Sequence, residues 1–308
     1  MPSKTIKSFI ADINNSDADG GGLWLPNIQR FFVWGEDQME RLYDSIMRQY
    51  PLPSLLIWKT KAELRNRRFI DQYNEPVDLK SLYRPVSKKP KRLVLDGQQR
   101  LQTLFIGLKG SLQGRTLHFD VLSGLPRHPE DIHFKFSFLA PETAGWPWVL
   151  FSDLIYTKKL AGEIAKDLLA SRTVTLSDDD YTRLSRNIER AKREFEITEA
   201  LIYQEIDSTD EDSNYAVEDV VEIFIRANAG GTKLSKSDLM FSLMTSDWHT
   251  ADIEMYEFLS EINGEQFNFD RDFVLKAAMV LLDQGARYDV EKLRDNELRK
   301  RITKEWTA

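Results

Sequence analysis

Apolar positions recur along the chain with two periods, roughly 3.6 and 2, and the switches between them mark the elements. Ile6, Phe9, Ile10 and Ile13 share one helical face, so Thr5 to Asn14 reads as a short helix. Asp17 to Gly22 is a loop by composition. The next segment, Leu23 to Trp34, is aromatic and apolar with one polar pair, Gln29-Arg30, embedded in it. Met39, Leu42, Tyr43 and Ile46 predict a helix over Glu36 to Tyr50; Pro51 and Pro53 stop it, and Ser54 to Trp58 follows as a strand. Pro76, Pro85 and Pro90 predict irregular backbone up to Arg92. Then Leu93-Val94-Leu95 ends abruptly in Asp96-Gly97. Leu101, Leu104, Phe105 and Leu108 begin a helical face at once, so a buried strand feeds a helix through a minimal turn.

Thr116 to Leu122 and Ile132 to Phe138 look like strands, with a turn around Gly124 and Pro126. Beyond Phe151 the period becomes helical. Tyr181, Leu184, Ile188, Ala191 and Phe195 form a stripe along Asp178 to Thr198, and Leu201 to Ile206 reads as a strand returning to the sheet. Val217 to Ala227 is a further helix ending at Asn228-Ala229-Gly230-Gly231, after which Ser235 caps the next. Ile253–Leu259, Phe273–Leu282 and Val290–Ile302 complete a helical region. The fold class expected is α+β, a mixed α/β part over residues 1–150 and a mainly helical region over 151–308.

Composition narrows the function. A chain of 308 residues with 42% hydrophobic and 30% charged residues supports a real core. No apolar run approaches the ~18 residues of a membrane span, and the polar start lacks a signal peptide's apolar block, so a cytoplasmic location is the expectation. The absence of cysteine excludes disulfides, thiol nucleophiles and thiolate zinc sites. Net charge is −7 but uneven: Lys59 to Arg92 carries eleven Lys/Arg against four Asp/Glu, and Asp207 to Glu222 seven acids and no base. The basic stretch is either a solvated loop or a face that draws a polyanion; the acidic one reads as a solvated loop sooner than a Mg²⁺ site.

Three segments concentrate polar groups in apolar settings. At Asp96-Gly97-Gln98-Gln99-Arg100, a capping box with Asp96 as N-cap and Gln99 reaching back explains two residues. It leaves Gln98 and Arg100 unexplained, because a cation in the first turn opposes the helix dipole. An anion held jointly by the helix N-terminus and Arg100 would reconcile them. Gln29-Arg30 is either an edge-strand pair facing water or the lining of a pocket walled by Trp24, Phe32 or Trp34. Phe224 to Ser235 is either a capped helix–loop–helix link or a ligand approach, with Arg226 and Asn228 as forked polar groups. No phosphate-binding P-loop, H-E-x-x-H or G-x-S-x-G motif occurs, and the four histidines have no paired metal-ligand spacing.

Taken in order, P-N-I-Q-R-F-F-V-W, L-V-L-D-G-Q-Q-R-L-Q-T-L and F-I-R-A-N-A-G-G-T-K-L-S resemble the successive signatures of one family. It is the DGQQR-motif family that forms the N-terminal module of GmrSD-type modification-dependent restriction systems, and the resemblance runs from Leu23 to Leu243. It implies a ParB/sulfiredoxin-like core followed by helices, acting as a regulatory or sensor domain that binds and hydrolyses a nucleoside triphosphate. The cofactors implied are a nucleotide, GTP by preference, with Mg²⁺ as an option. Carried over residue by residue, Asp96, Gln99 and Arg100 take catalytic places. Gly97, Gln98, Gln29, Arg30, Arg226 and Asn228 take nucleotide-binding ones. Modified DNA and an HNH-type nuclease module or subunit are the partners implied. That nuclease needs a histidine-centred metal site, and His249 is the one histidine after His133, so the cutting chemistry is expected elsewhere. The alternatives are a non-hydrolysing DNA- or nucleotide-sensing switch and an adaptor for a separate nuclease subunit.

Overall fold

The computed structural model describes residues 1–308 except 27–31, 63–65, 75–78, 86, 126–127, 173, 211–214, 216–218, 221–222, 224–225, 227–247, 249–250, 265, 286–295 and 307–308. Its strands are β1 (Ser3–Lys4), β2 (Leu23–Pro26), β3 (Leu55–Thr60), β4 (Asn66–Arg67), β5 (Gln72–Tyr73), β6 (Lys91–Asp96), β7 (Ser111–Leu112), β8 (Thr116–Asp120), β9 (Phe136–Leu139), β10 (Trp148–Leu150) and β11 (Leu201–Asp207). Helices are α1 (Ile6–Asp12), α2 (Glu36–Met47), α3 (Leu79–Leu82), α4 (Gln98–Lys109), α5 (Phe151–Tyr156), α6 (Ala161–Arg172), α7 (Asp178–Lys192), α8 (Ala251–Asn263), α9 (Arg271–Leu281) and α10 (Asn296–Glu305). The class is mixed α/β, as the two periods predict.

A six-stranded mixed sheet, in the order β1-β11-β3-β6-β2-β4, carries the fold. Period-two alternation sorts its side chains cleanly. Leu23, Leu25, Leu55, Ile57 and Val94 enter the main core, while Trp24, Leu56, Trp58, Leu93 and Leu95 form a second layer on the opposite face. Both faces are covered, which is why β6 reads as an unbroken apolar run. On one side lie α1 and α4, α4 being buried at every position from Leu101 to Leu108. On the other, Val220 and Ile223 pack on the sheet; Asp219, Val220, Ile223 and Arg226 are the helical positions described in the expected 217–227 helix.

The strand expected at Leu201 to Ile206 does return to the sheet. It pairs in parallel with β3 and antiparallel with β1. Strands β10, β8 and β9 form a separate small sheet. Tyr43 of α2 packs between this sheet and the helices: its ring lies 5.1 Å from Phe136 of β9, 5.7 Å from Phe151 of α5 and 5.8 Å from Phe195, just past α7. Each such ring pair adds about 0.5–1.5 kcal/mol beyond its burial. Helices α5 and α7 pack into this same core through Leu154, Ile155, Leu184 and Ile188. Helices α8 to α10 gather around a core of their own, with Trp248, Met255, Leu275 and Ile302.

Two elements differ from expectation in extent. The strand expected at 132–138 forms at 136–139, because His133 and Phe134 instead donate their backbone N–H groups to the buried Asp44 carboxylate. The stretch up to Arg92, expected to be irregular, contains two-residue strands and one short helical turn, short enough to fit between its prolines.

Candidate functional site

The junction of β6 and α4 depends on one backbone conformation. Gly97 is left-handed, with φ 89° and ψ 10°, and serves as N-cap of α4. A side chain is disfavoured there twice over: the conformation suits glycine, and a Cβ would lie 2.2 Å from Leu55 Cδ2. The capping box expected from Asp96 and Gln99 does not form. Because the turn is made at Gly97, Asp96 remains the last strand residue, paired across with Leu56, and no side chain caps the helix. Gln99 does not reach back either; its Oε1 accepts the N–H of Val33 at 3.0 Å.

The motif divides between two sides. Arg100 turns towards the loop before β3. Its guanidinium donates to the carbonyl of Pro53, to that of Ser54 at 3.3 Å and to Asp96 Oδ2 at 3.4 Å. Its side chain keeps only 11% of its exposure, whereas that of Asp96 keeps 45%. Burial lowers the Arg100 pKa from the usual arginine value, and the neighbouring Asp96 opposes that shift. Gln98 and Gln99 instead line a shallow, open cleft, together with Arg67, Arg68 and Gln102. Leu25, Phe32, Ile70 and Leu82 form its apolar walls. The cleft therefore places glutamine amides and the exposed Arg68 beside a helix N-terminus without a side-chain cap, a setting suited to an anion, while Arg67 is 2% exposed.

Gln102, Arg67 and Arg68 are the residues the motif reading missed. Gln102 is buried inside the apolar face of α4, and its amide grips the backbone of Ile70: Oε1 accepts the Ile70 N–H at 3.0 Å and Nε2 donates to the Ile70 carbonyl at 2.5 Å. A glutamine in the middle of an apolar helical face was the available signal. Arg67 and Arg68 carry no local signal beyond belonging to the basic stretch. They reach the cleft because β4 pairs with β2 and Arg67 also bridges to Tyr83.

Much of the basic stretch is used internally. Lys91 donates to the carbonyls of Ala62 and Ser87, and Arg92 pairs with Asp12 at 2.7 Å. Lys59 pairs with Asp207, the first residue of the acidic stretch, at 2.8 Å. Arg84 lies 3.3 Å above the Trp24 ring. Arg68, Lys88 and Lys89 are exposed.

Of the outer motifs, Gln29, Arg30 and Asn228 lie outside the described residues, although Leu25 and Phe32, which flank the first pair, line the cleft. Arg226 is helical and exposed. Among the described residues no three potential ligands gather as a metal site. His118 is buried with Nδ1 2.9 Å from the Thr116 carbonyl, a ring nitrogen of His133 meets the His128 carbonyl at 3.0 Å, and His249 lies outside the described residues. Nor is any helix among them long and apolar enough to cross a membrane.

A mixed sheet whose central strand delivers a glutamine-rich helix N-terminus to a cleft lined by Arg67 and Arg68 defines an α/β module. The chain belongs to the GmrSD restriction endonuclease, N-terminal domain family, whose model matches residues 6–245. It is thus a component of a restriction system. All three sequence motifs lie within the match, and α8 to α10 lie beyond it. No curated protein matches the chain.

Proposed function

We propose that this chain is the nucleoside-triphosphate-binding and hydrolysing sensor of its restriction system, with GTP as the preferred nucleotide and a ParB-like core as its frame. One observation carries the reading. The left-handed Gly97 starts α4 without a side-chain cap, beside a cleft lined by Gln98, Gln99, Arg67 and Arg68. Helix N–H groups and guanidinium groups are the donors that phosphate oxygens require. In this reading Gly97 lets the backbone approach the phosphates, and Gln98 and Gln99 supply amides. Catalysis is positioning and charge stabilisation at the phosphoryl group, without a covalent step. Arg100 and Asp96 take the roles of charge stabiliser and of water or Mg²⁺ orienter after leaving their mutual contact. Gln29, Arg30, Arg226 and Asn228 complete the nucleotide site. Modified DNA is the signal and an HNH-type nuclease module the output.

A panel of nucleoside triphosphates with Mg²⁺, with and without DNA, tests it. Phosphate release by the native chain, reduced in Arg100→Ala, is the result expected. No release from any nucleotide removes the enzymatic reading. A second reading, a switch that binds without turnover, draws on the pairing of Asp96 with Arg100 and on the attachment of Arg100 to Pro53 and Ser54. Calorimetric binding of a nucleotide with no phosphate release selects it.

A further inference from the structure

The segment that brings Arg68 into the cleft is held with every backbone step accounted for. Asn66 accepts from the Arg84 N–H at 3.0 Å, and Arg68 donates to the Leu82 carbonyl at 2.9 Å. Phe69 and Ile70 are then each gripped by one side-chain amide. Asn14 accepts from the Phe69 N–H at 2.9 Å and donates to its carbonyl at 2.8 Å, and Gln102 does the same for Ile70. Two carboxamides thus replace the neighbouring strand that the segment lacks at this point. Asn14 adopts φ 57° here, an uncommon conformation for a non-glycine residue.

The side chain presented by this fixed backbone is a cation. Arg68 is exposed and forms no ion pair among the described residues. A neighbouring cation, Arg84, has its pKa lowered first by burial and then by Arg68. Arg100, by contrast, is already bonded to two carbonyls and Asp96.

We propose that Arg68 is the guanidinium that contacts the anionic end of the ligand, and that Gln102 is the positioning residue that holds it there through Ile70. The inference rests on the nucleotide reading of the same cleft and adds a ligand-binding cation to Arg100, the one the motif suggests. A rigid backbone beneath a ligand-facing arginine leaves only side-chain freedom to lose on binding.

Calorimetric titration of the full chain with GTP–Mg²⁺ and, separately, with inorganic triphosphate tests it in the native chain, Arg68→Gln, Arg68→Lys, Gln102→Asn and the double variant Arg68→Gln/Gln102→Asn. Loss of one charge-assisted contact predicts affinity roughly 10- to 100-fold weaker in Arg68→Gln, with partial recovery in Arg68→Lys. Gln102→Asn, whose amide is one methylene too short, should weaken binding alone but add nothing to Arg68→Gln. A merely structural glutamine would weaken both backgrounds equally. Should Gln102→Asn fail to fold, Gln102→Met keeps the side-chain length and removes both hydrogen bonds to Ile70 without adding a charge. Unchanged GTP affinity in Arg68→Gln overturns the proposal and leaves the nucleotide reading standing. Arg68-dependent binding of triphosphate without binding of GTP overturns the nucleotide reading alone. No binding of either probe by the native chain overturns both.

Discussion

Gly97 and Leu55 are packed so closely that a Cβ on the glycine would lie 2.2 Å from Leu55 Cδ2. Strand β3 thereby fixes the turn that opens the cleft. Gly97→Ala should cost about 1–2 kcal/mol for the left-handed conformation and about 1–3 kcal/mol for overpacking. Trimming the neighbour in Gly97→Ala/Leu55→Ala should recover the second contribution, not the first, after allowing for the cost of Leu55→Ala by itself. Urea unfolding of the native chain, both single variants and the double variant measures this. Purely additive losses would show that the contact is immaterial.

Asp12 accepts from Arg92 at 2.7 Å and Lys4 at 2.9 Å, and the Arg92 side chain is 4% exposed. Replacing Asp12 with Asn leaves a buried guanidinium without its counter-charge, a change that costs about 3–5 kcal/mol. Lys4→Ala removes a partly exposed partner and should cost under about 1 kcal/mol. Denaturant midpoints of the two variants give the comparison; equal midpoints would mean that the Arg92 pair is no stronger than a surface one.

The strands and helices of the first half were legible because each buries one face or both, and burial imposes its period. Leu93-Val94-Leu95 and the stripe of α2 are cases in point. The family order of the three motifs was also readable, and the match over residues 6–245 agrees with it. What the motif hid is its own geometry. Asp96, Gln99 and Arg100 are neighbours in sequence, yet a left-handed Gly97 sends Gln99 towards the cleft and leaves Arg100 on the Pro53–Ser54 loop. The contribution of Arg68 depends on pairing with residues 82–84 and on Asn14, contacts with no local sequence signature.

Asp207 closes the parallel β11–β3 pair by meeting Lys59, its register partner. Burial would raise its pKa, but the hydrogen bonds from Lys59 and Thr209 outweigh that and bring it down to about 2. A carboxylate depressed in the folded state stabilises above its unfolded value of about 4, and that contribution is lost as pH falls towards 2. Because the side chain is 42% exposed, screening keeps the gain below about 1 kcal/mol. The stability difference between the native chain and Asp207→Asn should therefore be constant above about pH 5 and shrink by pH 3. A difference independent of pH over that range would assign the effect to packing.

Arg100 holds the loop before β3 through the carbonyls of Pro53 and Ser54, so its removal should be felt in the fold as well as in turnover. Charge-assisted hydrogen bonds to two carbonyls imply a loss of about 1.5–3 kcal/mol in Arg100→Ala. Arg100→Lys should recover only part, since one ammonium cannot reproduce the planar fork. Amide exchange at Leu55 to Ile57, at the start of β3, should quicken in Arg100→Ala, because the strand would lose the anchor at its N-terminal end. Exchange and stability are measured without nucleotide, phosphate release with it. If release falls while stability and exchange stay native, the guanidinium acts on the ligand and is no clamp. If all three change together, and Arg100→Lys restores stability and release in proportion, the loss of turnover follows from the loosened loop.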